Sequence, residues 1–322
     1  MKKQLIMLGF VTLSTLMPST AWAAKFNQMY VFGDSLADTG NFFKATGIPP
    51  EPYFKGRFSN GPVWVDYLAN GFGLAANQSK NFAFGGATTG ALNTTNPSLP
   101  GLEQQIQSFT SSTGAKANKN ALYVIWAGAN DYLGGQQTDP TKPVANLANA
   151  IASLTKVGAK NILVANLPDL GALPGTSNNS NAKGLTTLTD AHNGVLNSVL
   201  SGSQKPGLNI FSLDVNGLFK DAIAGKLGFA NVTDAALDSC YPQPLNPICS
   251  DPNNFLFWDP LHPTTKTHSF IADAALKQIK NSTSVPESST NWGMLGLALV
   301  GTGAIVKRQR QRNQVVDLIS SK

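Results

Sequence analysis

The sequence predicts an α/β fold built on a parallel sheet with helices on both faces, and three observations predict it. Short apolar runs of strand character recur at residues 29–32, 81–84, 122–126, 162–165 and 210–213. Segments between and after them carry apolar residues at helical spacing. Polar clusters containing glycine, asparagine and aspartate follow several of the strands. Runs that are apolar throughout suit strands buried on two sides, and alternation of such strands with amphipathic helices suits parallel pairing through crossovers.

Along the chain, Met29-Tyr30-Val31-Phe32 leads into Gly33-Asp34-Ser35, then into Asp38-Thr39-Gly40-Asn41. Gly, Asp and Ser all suit a chain reversal, so a turn is one explanation; a serine displayed at the carboxyl edge of a sheet is the other. Val63, Tyr67 and Leu68 share the next helical face. The second run ends at Gly85-Gly86-Ala87-Thr88 and the third at Ala127-Gly128-Ala129-Asn130-Asp131. Val144, Leu147, Ile151 and Leu154 form a helical face before the fourth run; Leu188, Val195, Leu196, Val199 and Leu200 form another before the fifth. Asp259-Pro260-Leu261-His262-Pro263 precedes a last face of Ile271, Ala275 and Ile279. In open parallel sheets the working site gathers outside the carboxyl ends of the strands, and the polar clusters stand there.

The two ends differ in character from the middle. Lys2 and Lys3, an apolar stretch and Ala21-Trp22-Ala23 form a secretory signal pattern over residues 1–23, too short for a membrane span. From residue 285, Val285-Pro286-Glu287-Ser288 leads into an apolar run at 292–306 and then Lys307, Arg308, Arg310 and Arg312. Gly293, Gly296, Gly301 and Gly303 make that run a poor packing helix, and the basic cluster fits the positive-inside bias. Residues 24–284 form one domain, with no internal repeat or long linker.

Much of the chain's +6 charge belongs to these ends, because Lys2, Lys3, Lys307, Arg308, Arg310, Arg312 and Lys322 all lie in them. The domain itself is near neutral, which excludes nucleic acid as a partner, since phosphate binding needs a basic face. The 2 cysteines, Cys240 and Cys249, stand in a proline-rich loop of a chain read as exported. They are expected to close a small disulfide loop, with paired free thiols as the alternative. No Cys-x-x-Cys spacing accompanies them, so no zinc site is expected.

A serine hydroxyl is a weak nucleophile and needs a base within hydrogen-bond reach. Of the 3 histidines, His262 sits in a proline-flanked loop, and Asp259 could orient its imidazole. Taken alone, Asp-x-x-His is equally a turn leading into a helix. His192, inside a helical pattern, suits a structural or exposed role, and His268 a packing or supporting one. Acyl transfer also needs donors for a developing oxyanion. Gly86 can bring its N–H close to a substrate, Asn130 has a side-chain amide, and the Ser35 N–H completes the set. Gly85-Gly86 as a turn and Asn130-Asp131 as a helix cap remain alternatives. Four such turns at successive strand ends explain less than one site does.

These blocks resemble a GDSL lipase/esterase of the SGNH hydrolase superfamily. Phe32-Gly33-Asp34-Ser35-Leu36 with its extension to Asn41 matches the first family block, and Asn81-Phe82-Ala83-Phe84-Gly85-Gly86-Ala87 the second. Gly128-Ala129-Asn130-Asp131 matches the third and Asp259-Pro260-Leu261-His262-Pro263 the last, in the family's order. The resemblance implies a three-layer α/β/α sandwich with a central parallel sheet, flavodoxin-like in character. It also implies a serine esterase or lipase acting on lipid or short-chain acyl esters. Ser35 would be nucleophile, His262 base, Asp259 its orienting acid, and Ser35, Gly86 and Asn130 the oxyanion hole, with no metal or cofactor and a monomeric state. The extended first block and Arg57-Phe58-Ser59-Asn60-Gly61-Pro62-Val63-Trp64 resemble the branch of plant GDSL esterases and bacterial phospholipase/acyltransferases, so acyl transfer or phospholipid cleavage is the alternative. A non-catalytic surface or matrix protein is the alternative from another class. No Gly-x-Ser-x-Gly elbow marks an ordinary α/β-hydrolase.

The tail resembles a PEP-CTERM sorting signal, with Ser288 where that motif has its second proline. The resemblance implies a processing protease as partner and a secreted, cell-surface or matrix destination. A chain ending at Val285 is therefore expected to keep its activity per mole on soluble esters and to be released from cells. Inactivity of the folded, shortened enzyme, or an unchanged cell-bound fraction, would contradict this.

Overall fold

The computed structural model describes residues 26–112, 114, 116–240 and 251–283. The expected signal segment and sorting tail, and Cys249, lie outside the described residues.

Four of the five apolar runs become strands of one parallel sheet, and the second run adjoins a fifth. These are β1 (Gln28–Gly33), β2 (Ser79–Asn81), β3 (Ala121–Trp126), β4 (Asn161–Ala165) and β5 (Asn209–Leu213). Their order is β2-β1-β3-β4-β5, with Val31 opposite both Asn81 and Val124, and Leu163 opposite Phe211. The chain steps from β1 to one edge, returns to the other side of β1 and continues outward. The switch point is therefore the crevice between β1 and β3, where such sheets place their ligands.

The second strand differs from its expected range of 81–84. Regular pairing stops at Asn81, yet Phe82 N–H still donates to the Val31 carbonyl at 2.7 Å and Phe84 N–H to Gly33 at 3.1 Å. The Asn41 side-chain amide donates to the carbonyls of Asn81 and Ala83 at 3.0 and 2.9 Å, so a side chain rather than a neighbouring strand satisfies this edge.

Because alternate residues of a strand point to opposite faces, β1, β3, β4 and β5 each feed two cores. Met29, Val31, Leu122, Val124, Trp126, Leu163 and Phe211 pack under α2 (Trp64–Gly71), α7 (Val215–Ile223) and α9 (Thr265–Thr283). Tyr30, Phe32, Tyr123, Ile125, Ile162 and Ile210 pack under α3 (Leu102–Ser112), α5 (Thr141–Lys156) and α6 (Ala182–Gly202). The result is the expected three-layer sandwich. The α5 face expected from Val144, Leu147, Ile151 and Leu154 is buried, as is the α9 face of Ile271, Ala275 and Ile279. On α6, Leu196 and Leu200 are buried while Val195 and Val199 pack at the margin.

Shorter elements complete the unit: α1 (Asn41–Thr46), α4 (Ala129–Leu133) and α8 (Ala236–Cys240), with β6 (Asn231–Ala235) and β7 (Phe255–Phe257) pairing in parallel as a separate small sheet. Cys240 is buried and disulfide-bonded.

Gly33 closes β1 at φ 150°, and a Cβ there would meet the Trp126 carbonyl oxygen at 2.1 Å. Gln105, from α3, meets the same glycine with both amide atoms, accepting from its N–H and donating to its carbonyl at 2.9 Å each. No residue with a side chain fits against that carbonyl. Gly33→Ala is expected to destabilise the fold by about 3 kcal/mol, through overpacking and backbone strain. Urea unfolding of the two proteins measures this directly.

Candidate active site

Ser35 follows β1 by two residues and is 8% exposed. The carboxyl end of β1 is tied down around it: Asp34 N–H donates to the Trp126 carbonyl, and Ala37 and Asp38 N–H groups donate to the Asp34 carbonyl. Buried Asp38 then accepts from the N–H groups of Gly40, Asn41 and Phe42 as the chain enters α1, and from Gly85 N–H at 3.0 Å. One carboxylate thus fixes the serine turn and the glycine pair after β2 together. Burial raises its pKa, against the pull of those four N–H groups.

Gly86 has φ 78°, and a Cβ there would strike the side chains of Thr95 and Asn93. Its carbonyl is held by Thr94 N–H at 2.8 Å, and Asn93 holds the neighbouring Gly85 carbonyl at 2.8 Å. Its own N–H donates to no protein acceptor among the described residues, and neither does that of Ser35. Asn130 stands in the first turn of α4, at the end of β3. One hydrogen of its side-chain amide bonds the Ala87 carbonyl at 3.1 Å, leaving the other available. The next residue, Asp131, accepts from Thr89 N–H and Oγ1 at 2.9 and 2.7 Å, locking the second and third motifs to each other.

The last motif arrives from β7. Asp259 and His262 sit in a tight turn in which Asp259 Oδ1 accepts from the N–H groups of Leu261 and His262 at 2.8 and 2.7 Å. His262 Nδ1 lies 2.7 Å from Asp259 Oδ2 and 2.9 Å from Oδ1. His262 Nε2 lies 2.8 Å from Ser35 Oγ. With Nδ1–H donating to the carboxylate, Nε2 is left to accept the serine proton. Ser35, Asp259 and His262 are brought into one hydrogen-bonded run, and Asn130 lines the same cleft.

The electrostatics follow from burial and pairing. For Asp259, burial alone would raise the pKa, but His262 and the turn N–H groups outweigh it and hold the carboxyl below its ordinary value. For His262, burial alone would lower the pKa, but the Asp259 carboxylate outweighs it and holds the imidazole above its ordinary value. Asp34 is pushed up to about 7 by burial, against the Leu36 N–H and the attraction of His262. Its Oδ1 accepts from Leu36 N–H at 3.0 Å, while Oδ2 has no partner among the described residues.

The cleft is narrow, with a volume of about 30 Å³. Beyond the polar groups its walls are apolar, with Leu36, Leu133, Leu170, Leu173, Phe219 and Leu261 among them. Such a surface suits an acyl chain.

The other histidines stay out of this run. His192 is fully buried, with Nδ1 2.9 Å from the Tyr132 hydroxyl, and burial lowers its pKa to about 4. His268 is fully buried on α9, and burial lowers its pKa to about 3. Both are structural. Among the described residues no group of three or more His, Cys, Asp or Glu could hold a metal ion.

The sequence pattern of the GDSL-like Lipase/Acylhydrolase family matches residues 29–275. The chain belongs to that family. The match and the relatives support a carboxylic ester hydrolase, on a scaffold whose strand-end motifs coincide with the site described. The chain is 32% identical over 277 residues to a thermolabile hemolysin of Vibrio parahaemolyticus, covering 79% of this chain and 64% of that protein. It is 30% identical over 331 residues to a phosphatidylcholine-sterol acyltransferase of Aeromonas hydrophila, covering 84% and 97%. An acetylesterase of Thermothelomyces thermophilus is 26% identical over 296 residues, covering 84% and 93%.

Three site residues escaped the sequence. Gln105, Asp38 and Tyr53, whose hydroxyl lies 2.8 Å from Asp259 Oδ2, all act through side-chain bonds to distant loops. Asp38 and Tyr53 lie in stretches that the family blocks already marked or adjoined, but nothing local points to their partners.

A base must be neutral to accept a proton, and the Asp259 carboxylate favours the charged imidazole of His262. The acid limb of kcat/KM on a soluble aryl ester is therefore expected above the ordinary histidine pKa, with activity lost as pH falls through it. A pH–rate profile with a limb below that value would contradict the pairing.

Proposed function

We propose that the chain cleaves lipid or short-chain acyl esters through an acyl-serine intermediate on Ser35. His262 serves as base and Asp259 as its orienting acid. The observation that carries this reading is the continuous run from Ser35 Oγ through both ring nitrogens of His262 to Asp259.

His262 Nε2 takes the Ser35 proton as Oγ bonds to the ester carbonyl carbon. The carbonyl oxygen, now negative, accepts hydrogen bonds from the Ser35 and Gly86 N–H groups and the spare amide hydrogen of Asn130. When the tetrahedral species collapses, the bond to the leaving alcohol breaks and His262 returns the proton to that oxygen. Water then enters, gives a proton to His262 and attacks the acyl carbon. The carboxylic acid departs and Ser35 recovers its hydrogen. The Asp259 carboxylate stays ionised throughout and stabilises the imidazolium.

The apolar walls of the cleft support an acyl chain as the buried part of the substrate. They also favour a second reading, acyl transfer to an alcohol, because an apolar acyl-enzyme excludes the water that would hydrolyse it. The likeness to the Aeromonas acyltransferase over nearly its whole length supports that reading. The signal pattern at residues 1–23 and the sorting-type tail support an exported enzyme whose tail meets a processing protease; we take the mature enzyme to be a monomer.

Ser35→Ala is expected to lower kcat to below about a thousandth, since loss of a nucleophile costs several orders of magnitude. Asn130→Ala is expected to lower kcat roughly a hundredfold with a smaller change in KM. Steady-state kinetics on aryl esters checks both, and a tenth of wild-type kcat remaining in Ser35→Ala would refute the assignment. Products formed with an added acceptor alcohol separate hydrolysis from transfer.

A further inference from the structure

The carboxylate of Asp259 is held by a second element, far from it in the chain. Tyr53 lies 206 residues before Asp259, and its hydroxyl donates to Asp259 Oδ2 at 2.8 Å. Oδ1 already receives two backbone N–H groups of its own turn. Among the described residues Oδ2 has only His262 Nδ1–H besides Tyr53. Tyr53 is thus the group that decides how much of the negative charge on Oδ2 remains for the imidazole.

We propose that Tyr53 is a positioning residue for the base: its hydroxyl orients Asp259 and tempers the basicity of His262. The inference rests on the reading of Ser35, His262 and Asp259 given above. Several contacts show that the hydroxyl is delivered by a strap rather than by a free loop. Tyr53 N–H donates to the Pro50 carbonyl at 3.1 Å, and Phe54 N–H to the Ser59 carbonyl at 2.9 Å. Ser59 Oγ donates to the Pro263 carbonyl at 2.9 Å, and the Phe58 ring lies 5.0 Å from the His262 ring. Thr265 N–H donates to Asn60 Oδ1 at 2.8 Å, and Thr265 Oγ1 to the Pro62 carbonyl at 2.8 Å. Residues 53–62 therefore brace the turn of the base on Asp259, His262, Pro263 and Thr265 in succession. The Tyr53 ring stands edge-on to Trp258 at 5.9 Å, which fixes the angle at which the hydroxyl arrives.

The donor keeps its proton under all working conditions, because burial and the neighbouring Asp259 raise its pKa. The charged and titratable groups facing this pair are Asp34 beside Ser35, His268 on α9 and Asp238 on α8 near Tyr53. His268 is neutral in the working range, its pKa being about 3. Asp34, raised by burial, faces His262 and is present in both proteins compared.

Tyr53→Phe keeps the ring and removes only the donor. With it gone, Oδ2 turns its full charge on His262 and the imidazolium gains. The acid limb of kcat/KM should move to higher pH by about half a unit, and kcat should fall about tenfold with KM nearly constant. Asp259→Asn removes the charge through which the hydroxyl acts, so adding Tyr53→Phe to it should cost little further. Each protein is first titrated with a serine-directed phosphonate. Failure of the wild type to take up label would defeat the reading of the site itself, independently of Tyr53. With labelling intact, an unshifted acid limb, or effects that simply add in the double variant, would overturn the positioning role. A lowered Tm with unchanged kcat and pH profile would reduce Tyr53 to a structural residue.

Discussion

The close approach of β1 to β3 at Gly33 is the constraint on which the site depends. The Trp126 carbonyl occupies the space where a side chain would be, the Gln105 amide holds the N–H and carbonyl of Gly33, and both strands end at that point. Ser35 lies two residues beyond on one side and Asn130 four residues beyond Trp126 on the other. Backbone contact between Gly33, Asp34 and Trp126 holds the two strand ends together at the base of the crevice. Preorganisation of this kind leaves little to be reorganised when charge develops.

Around this crevice the protein buries several carboxyl groups and treats each differently. Asp38 collects four N–H donors and serves as a rivet between two loops; Asp131 is saturated by one threonine. Asp259 is kept ionised by His262 and its own turn. Asp34, with one oxygen unpartnered, is the one whose pKa burial carries up to about 7. The same residue type is thus a fastener, a charge and a near-neutral acid within one site, according to how many donors reach it.

The layers of the fold and the five motif residues were legible in the sequence because each rests on local pattern. Strands buried on both faces read as unbroken apolar runs, and α5 and α9 showed their apolar stripes. Ser35, Gly86 and Asn130 each stand within a few residues of a strand end, and Asp259 and His262 flank a proline turn. The short elements α1 and α4 were not legible: five or six residues carry too little periodicity, and both form because Asp38 or the Gly128 turn starts them. β6 and β7 were missed for the same reason. The boundary of β2 departs from the expected range because the Gln105 side chain takes the Gly33 N–H that continued pairing with β2 would have used. Tyr53 and Gln105 reach across 206 and 72 residues, and sequence spacing carries no sign of such a contact.

That separation has a consequence for synthesis. Ser35 and His262 stand 227 residues apart, at opposite ends of the folded domain's sequence. The serine, its turn and the strap leave the ribosome early; His262 and α9 follow every strand of the sheet. A nascent chain can therefore build most of its sheet while lacking the imidazole altogether. The hydrogen-bonded run from Ser35 to Asp259 closes only when the turn bearing His262 is in place, so on the proposed reading an incomplete chain has no base for its serine.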